Sequence, residues 1–155
     1  MTINYKIWTV CMIQDGDKIL LMDRQKDDFK GFIPPGGSVE FPESFMQCAI
    51  REVKEETGLT VRNLEFKGLN EYVNPTTNDR YMIFNYLTQD FEGELLENPP
   101  EGKLYWVPIN EAQQLPMQKS FERRFPLFFE DGTFEIHVEW DHERDEEARV
   151  TINKT

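Results

Sequence analysis

The stretch from Gly37 to Leu59 constrains this chain more than any other: Gly37, then Glu43, then the unbroken run Arg51-Glu52-Val53-Lys54-Glu55-Glu56-Thr57-Gly58-Leu59. Glu52, Glu55 and Glu56 stand at i, i+3 and i+4, so a helix through this segment brings three carboxylates together on one face. Phe45, Met46, Ala49, Ile50 and Val53 recur at helical spacing. Pro42 lies near the expected start, Glu43 in the first turn, and Gly58 is placed to end the helix. At roughly 100° per residue the glutamates border the apolar stripe, so the rim of a buried helix face must carry crowded negative charge. Each like-charge pair costs about 0.2–0.5 kcal/mol when exposed, and more as water is excluded. A hard divalent cation would remove that cost.

Taken alone, an E-x-x-E-E cluster is most often a solvated helix face. The flanking positions argue otherwise, since seven fixed polar or glycine positions and two apolar ones make an accidental match on the order of 10⁻⁷. The whole pattern, Gly37-x5-Glu43-x7-Arg51-Glu52-Val53-x-Glu55-Glu56-x-Gly58-Leu59, resembles the signature of the Nudix hydrolases. That resemblance implies an α/β fold, an α/β/α sandwich with a mixed β-sheet, as a single domain over residues 1–155. It further implies hydrolysis of a nucleoside diphosphate linked to some group X, with Mg²⁺, or Mn²⁺ in its place, as cofactor.

Composition narrows the partners. A net charge of −12 and a pI near 4.6 argue against a general nucleic-acid or anionic-membrane surface, so a small-molecule nucleotide would be recruited by metal and a few local cations. Cys11 and Cys48 read as small buried hydrophobes rather than a disulfide framework. The early apolar run from Ile7 to Ile13 is far shorter than the roughly 20 residues of a membrane span, and no small-residue cleavage site follows it. A cytoplasmic protein, monomer or homodimer, is expected.

Along the chain, Ile3 to Ile13 and Lys18 to Asp23 read as a hairpin about Asp15-Gly16-Asp17. Asp27 to Gly37 reads as loop, with Gly36-Gly37 letting backbone approach a ligand. Val61 to Val73 and Tyr81 to Thr88 read as an antiparallel pair, Phe91 to Glu101 as an acidic loop, and Leu104 to Val107 as a short strand. Asn110 to Leu115 and Ser120 to Phe129 read as helices, the second interrupted by Pro126. Phe134, Ile136, Val138 and Trp140 alternate with polar residues as a half-buried strand whose His137 points to solvent, returning through Ala148, Val150 and Ile152.

Carried over position by position, the resemblance implies that Glu52, Glu55 and Glu56 bind metal together with the carbonyl of Gly36 or Gly37. Glu52, Arg51 and Glu55 are the candidate catalytic residues, Glu52 as base and Arg51 orienting it. Glu43 would tie the front of the helix to its end through Arg51, and Gly37, Glu43 and Gly58 would keep the motif in shape. Glu101 is expected to add a further carboxylate, with Glu97 in reserve.

The tail, with Trp106-Val107-Pro108 and a closing hairpin, looks like the 8-oxo-dGTP diphosphatases that sanitise the nucleotide pool, whose products would be a nucleoside monophosphate and pyrophosphate. Arg24, Ile33, Phe84, Gln118 and Phe121 are the candidate substrate-binding residues, with Asn85 as another amide and Trp8 as another stacking surface. Ile33 stands where one branch carries a base-reading asparagine, Ser38 where a basic residue is usual, and Pro42 where a glycine is usual. Pro75 prompts a second expectation, hydrolysis of ADP-ribose or a dinucleoside polyphosphate. A third, from another class, is a catalytically silent nucleotide-sensing module.

Overall fold

A computed structural model describes residues 1–26 and 29–155. Strands β1 (Asn4–Asp15) and β2 (Lys18–Arg24) meet through a turn with Gly16 at φ +62°. The expected hairpin exists only at its tip, where Gln14 faces Ile19 and Asp15 faces Lys18. Val10 to Ile13 and Ile19 to Met22 are apolar and buried without a break, as central strands are when covered on both faces. Each strand therefore takes further neighbours. β1 runs parallel to β7 (Asp79–Thr88) and holds β4 (Gly36–Ser38), while β2 pairs with β9 (Gly102–Pro108) and with β3 (Gly31–Ile33). The segment expected to be loop thus supplies two short strands; Asp27 and Asp28 at its start lie outside the described residues.

The antiparallel pair forms from β6 (Glu65–Asn74) and β7. The expected strand start at Val61 is a separate element, β5 (Thr60–Arg62), which Asn63 at φ +54° turns away to pair with β8 (Asp90–Glu92). β10 (Phe134–Asp141) and β11 (Glu146–Lys154) make the closing hairpin, and β10 lies parallel to β6. Two parallel pairs among antiparallel ones give a mixed sheet running β11-β10-β6-β7-β1-β2-β3. His137 does not point freely into solvent: its Nδ1 lies 2.7 Å from Glu71, which Arg80 also holds.

Helices cover both faces. On one, α1 (Phe45–Thr57) sets Ala49 and Val53 against Cys11, Ile13 and Leu20. On the other, α2 (Ile109–Ala112), α3 (Lys119–Arg124) and a 3-10 turn over Phe125–Phe129 set Phe121, Phe125 and Phe128 against Val10, Met12 and Leu87. Successive β1 residues point to opposite faces, so this one strand feeds both cores. The later helices are shorter than expected, the second passing into 3-10 form at Phe125-Pro126. α1 begins one residue after its N-cap Ser44, whose side chain accepts from Gln47 N–H while the Gln47 side chain accepts from Ser44 N–H. Glu43 therefore precedes the helix rather than lying in its first turn. Gly58, at φ +87°, closes it.

Cys11 and Cys48 are free and buried. Burial pushes the Cys11 thiol up to about 12 and the Cys48 thiol up to about 11, so both remain protonated packing groups.

Candidate active site

The last two turns of α1, strand β4 and the start of β9 meet at one mouth of a cavity of about 1070 Å³. Gly36 and Gly37 pair with Val10 and Thr9 of β1. A Cβ on Gly36 would lie 2.0 Å from the Thr9 carbonyl oxygen, and one on Gly37 would lie 2.2 Å from the Glu52 carboxyl carbon. The glycine pair therefore serves two contacts within the protein, one to a strand and one to a catalytic-candidate carboxylate.

Arg51 organises the outer half of the cluster. Its guanidinium donates to Glu43 at 2.7 and 3.0 Å, to Glu52 at 3.0 Å, to Glu55 at 3.3 Å and to the Ser38 carbonyl at 3.1 Å. This arginine holds the Glu43 carboxyl at about 2, well below its ordinary 4.5. Glu52, mostly buried, is pushed the other way: desolvation raises it, against the opposing Arg51 contact.

Glu56 belongs to the inner half. Its Oε2 accepts from Gly36 N–H at 2.9 Å, and only 4% of the residue is exposed. Burial, and then a hydrogen bond to the Glu101 carboxyl, push it up to about 9. Arg24 in turn donates to Glu101 at 2.8 Å. The three helix glutamates thus do not converge as their spacing suggested: Glu55 is more than half exposed and tied to Arg51, while Glu56 turns inward to Gly36. Among the described residues no three acidic side chains stand ready to hold a metal ion. What the inner half does have is carboxyl and backbone carbonyl oxygens set close together, the ligand type a hard divalent ion prefers.

The rest of the cavity runs across the sheet face opposite α1. Trp8 of β1, Tyr81 of β7, Tyr72 of β6 and Trp140 of β10 line it, with Ile33 and Gln118 at its side. Trp8 and Tyr81 meet edge to face with ring centroids 5.5 Å apart. Arg24, Ile33, Gln118 and Glu101 are therefore brought to one cavity with Glu52 and Glu56. Gln118 spends its side-chain amine on the Phe29 carbonyl at 2.7 Å.

Two expected substrate residues lie elsewhere. Phe84 pairs with Thr9 in register and so faces α1, stacking on Phe45 at 4.2 Å. Phe121 is fully buried in the opposite core. Neither offers a ring to a base. Asn85 is also fully buried, its amine donating to Gly68 O, Asn70 Oδ1 and Ile83 O. Sequence reasoning missed Tyr72, Tyr81, Trp140 and Arg124 as lining residues. Arg124 had a signal: it falls between Phe121 and Phe128 at helical spacing, a charge on an apolar stripe.

A mixed sheet between helices, an acid-rimmed helix entered through a glycine pair, and an adjoining aromatic cavity define a fold and site of the nucleotide-hydrolase kind. The NUDIX domain profile matches residues 5–128, and the chain belongs to that family, whose members are hydrolases acting on phosphoanhydride bonds. It is similar to Bacillus subtilis YtkD, provisionally named an 8-oxo-dGTP diphosphatase, at 40% identity over 132 residues, 85% of this chain and 77% of that one. It is also 40% identical over 107 residues to the ADP-ribose pyrophosphatase of Methanocaldococcus jannaschii, covering 67% of this chain and 62% of that protein. The crystal structure of the mutator MutT protein from Bacillus halodurans superposes with a TM-score of 0.82 at 29% identity, over 96% of this chain and 97% of that one. No helix among the described residues is long and apolar enough to cross a membrane.

Proposed function

We propose that this protein is a divalent-metal-dependent pyrophosphohydrolase that cleaves 8-oxo-dGTP or a related purine deoxynucleoside triphosphate to the nucleoside monophosphate and pyrophosphate. The observation that carries this reading is the meeting of two chemistries in one cavity: Glu52, Glu56 and Glu101 at the mouth, and Trp8, Tyr81, Tyr72 and Trp140 along the floor. The first suits a metal-neutralised polyphosphate, the second a planar base. Similarity to YtkD, provisionally named an 8-oxo-dGTP diphosphatase, supports the same substrate class.

In this reading Glu52, Glu56, Glu101 and the carbonyl of Gly36 or Gly37 would hold Mg²⁺, or Mn²⁺ in its place, with Glu55 a further ligand. The ion, when bound, offsets charge on the phosphate oxygens and aligns the scissile link. Glu52 takes the proton of the attacking water. Arg51 keeps the Glu52 carboxylate aimed, and Glu43 fixes Arg51 through two hydrogen bonds. Arg24 orients Glu101 from the far side.

The purified protein with Mg²⁺ is expected to release pyrophosphate from 8-oxo-dGTP. Release no faster than from a Glu52→Gln control refutes the enzyme reading. Comparing kcat/KM for 8-oxo-dGTP, dGTP, ADP-ribose and diadenosine polyphosphates identifies X. ADP-ribose is included because of the Methanocaldococcus relative and because Asn74 and Asp79, which bound the loop containing Pro75, line the cavity. Tight nucleotide binding without turnover would indicate a sensor.

A further inference from the structure

Arg124 is wholly buried, it lines the cavity, and among the described residues no carboxylate pairs with it. Its Nε donates to Asn85 Oδ1 at 2.9 Å, and its Nη1 lies 3.5 Å from Ser120 Oγ. The Asn85 amide cannot turn away, because its amine is committed to Gly68, Asn70 and Ile83. The guanidinium is also packed over the Phe121 ring, 5.4 Å from its centroid. It is therefore held from two sides. Its Nη2 is buried without a hydrogen-bond partner among the described residues. A donor left in this state is rare in folded proteins and points to an acceptor that arrives with a ligand.

The neighbouring surface says what kind of ligand. Tyr72, Tyr81, Trp8 and Trp140 line the cavity beside it, while Glu56 and Glu101 cluster at Gly36 of β4, which pairs with β1, the strand next to the β7 strand that carries Asn85. A guanidinium donates only and stays protonated. Resting on the reading of this cavity as a nucleotide site, we propose that Arg124 reads a carbonyl oxygen on the base and makes the protein select 6-oxopurines over adenine. Guanine and hypoxanthine present O6 as an acceptor at this position, and 8-oxoguanine keeps it. Adenine presents an amino group there, so donor would face donor. Arg124 thus separates oxo from amino purines without distinguishing guanine from its oxidised form.

Binding of nucleoside monophosphates tests this without requiring turnover. Isothermal titration in Mg²⁺ compares dGMP, dIMP, dAMP and the 2-aminopurine deoxynucleotide, which lacks O6. The wild-type protein is expected to bind dGMP and dIMP about 10- to 100-fold more tightly than the other two, the range of one good base contact. Arg124→Met should bring all four within about threefold, and Arg124→Lys should keep part of the preference, as a point charge replacing a planar fork does. Thermal melting shows whether each variant is folded, and the wild-type comparison needs no variant. Equal affinity for all four, no measurable binding of any, or an unchanged preference in folded Arg124→Met overturns the inference. Selective binding with no turnover sinks the hydrolase reading and leaves Arg124 its role, whereas turnover with no selectivity does the reverse.

Discussion

Gly36 and Gly37 are neighbours in one short strand, yet a methyl group on each meets a different kind of obstacle, so alanine should break them in opposite ways. On Gly37 the new Cβ falls 2.2 Å from the Glu52 carboxyl carbon and 2.4 and 2.6 Å from its oxygens, all at the end of a flexible side chain. Restoring an ordinary 3.4 Å contact moves that carboxyl by 3.4 − 2.2, about 1.2 Å. Misplacing a reacting group by about 1 Å can cost about 10²-fold, so Gly37→Ala should lower kcat by about that factor. Its melting temperature should stay within about 2 °C, since a rotatable side chain yields and loss of glycine slightly stabilises the fold. On Gly36 the obstacles are backbone: Thr9 O at 2.0 Å, then Thr9 C and Val10 Cα at 3.0 Å. Relief there must part β4 from β1 and strain the bond from Cys11 N–H to the Pro35 carbonyl, now 2.9 Å. Overpacking of this kind costs about 3 kcal/mol, or about 6–12 °C in a domain of this size. Calorimetric melts and pyrophosphate release on both variants decide the matter. A Gly37→Ala protein as destabilised as Gly36→Ala, or one that melts normally and retains full activity, would show that the Glu52 carboxylate is not what this glycine makes room for.

Three further outcomes follow from single contacts. Ser44→Ala removes half of the reciprocal cap on α1 and should cost about 1 kcal/mol, read as a lower urea midpoint with kcat/KM unchanged. Glu43 titrates at about 2 in the folded protein against an ordinary 4.5, held down by Arg51. Its charge therefore stabilises the fold above about pH 4.5, and that contribution fades as pH falls toward about 2. The stability gap between wild type and Glu43→Gln should be widest near neutrality and close across that window in acid denaturant titrations. Phe84→Leu, which loosens the stack on Phe45, should lower stability by about 1–2 kcal/mol and leave the ratio of dGMP to dAMP affinity untouched; a changed ratio would return Phe84 to the base site.

What the sequence discloses depends on how many elements a feature draws on. Glu52, Glu55 and Glu56 sit on one helix, and their spacing alone reports the acidic rim; Gly58 and the motif arginine are equally local. Their actual orientations are not local, because Arg51 captures Glu52 and Glu55 while Gly36, from another strand, captures Glu56. The cavity floor is further removed. Trp8, Tyr81, Tyr72 and Trp140 come one each from four strands, and they share a face because β1 runs parallel to β7, β7 antiparallel to β6 with Tyr81 opposite Tyr72, and β6 parallel to β10. A one-residue slip in any of those registers would send its aromatic to the other face. The same parity explains one misplaced ring: Phe84 is adjacent in sequence to Ile83 and Asn85, which face the cavity side, and so must face α1, whereas Phe121 belongs to α3 and is buried where that helix packs on the sheet. Arg124 depends on both levels at once. Its place among Phe121, Phe125 and Phe128 marks it as buried from the sequence, but the amide that pins it lies on β7, 39 residues away. The acidic rim proposed to break the bond is therefore written largely in one helix, and the end proposed to choose the base is written in strand pairing, where a single chain read in order does not reveal it.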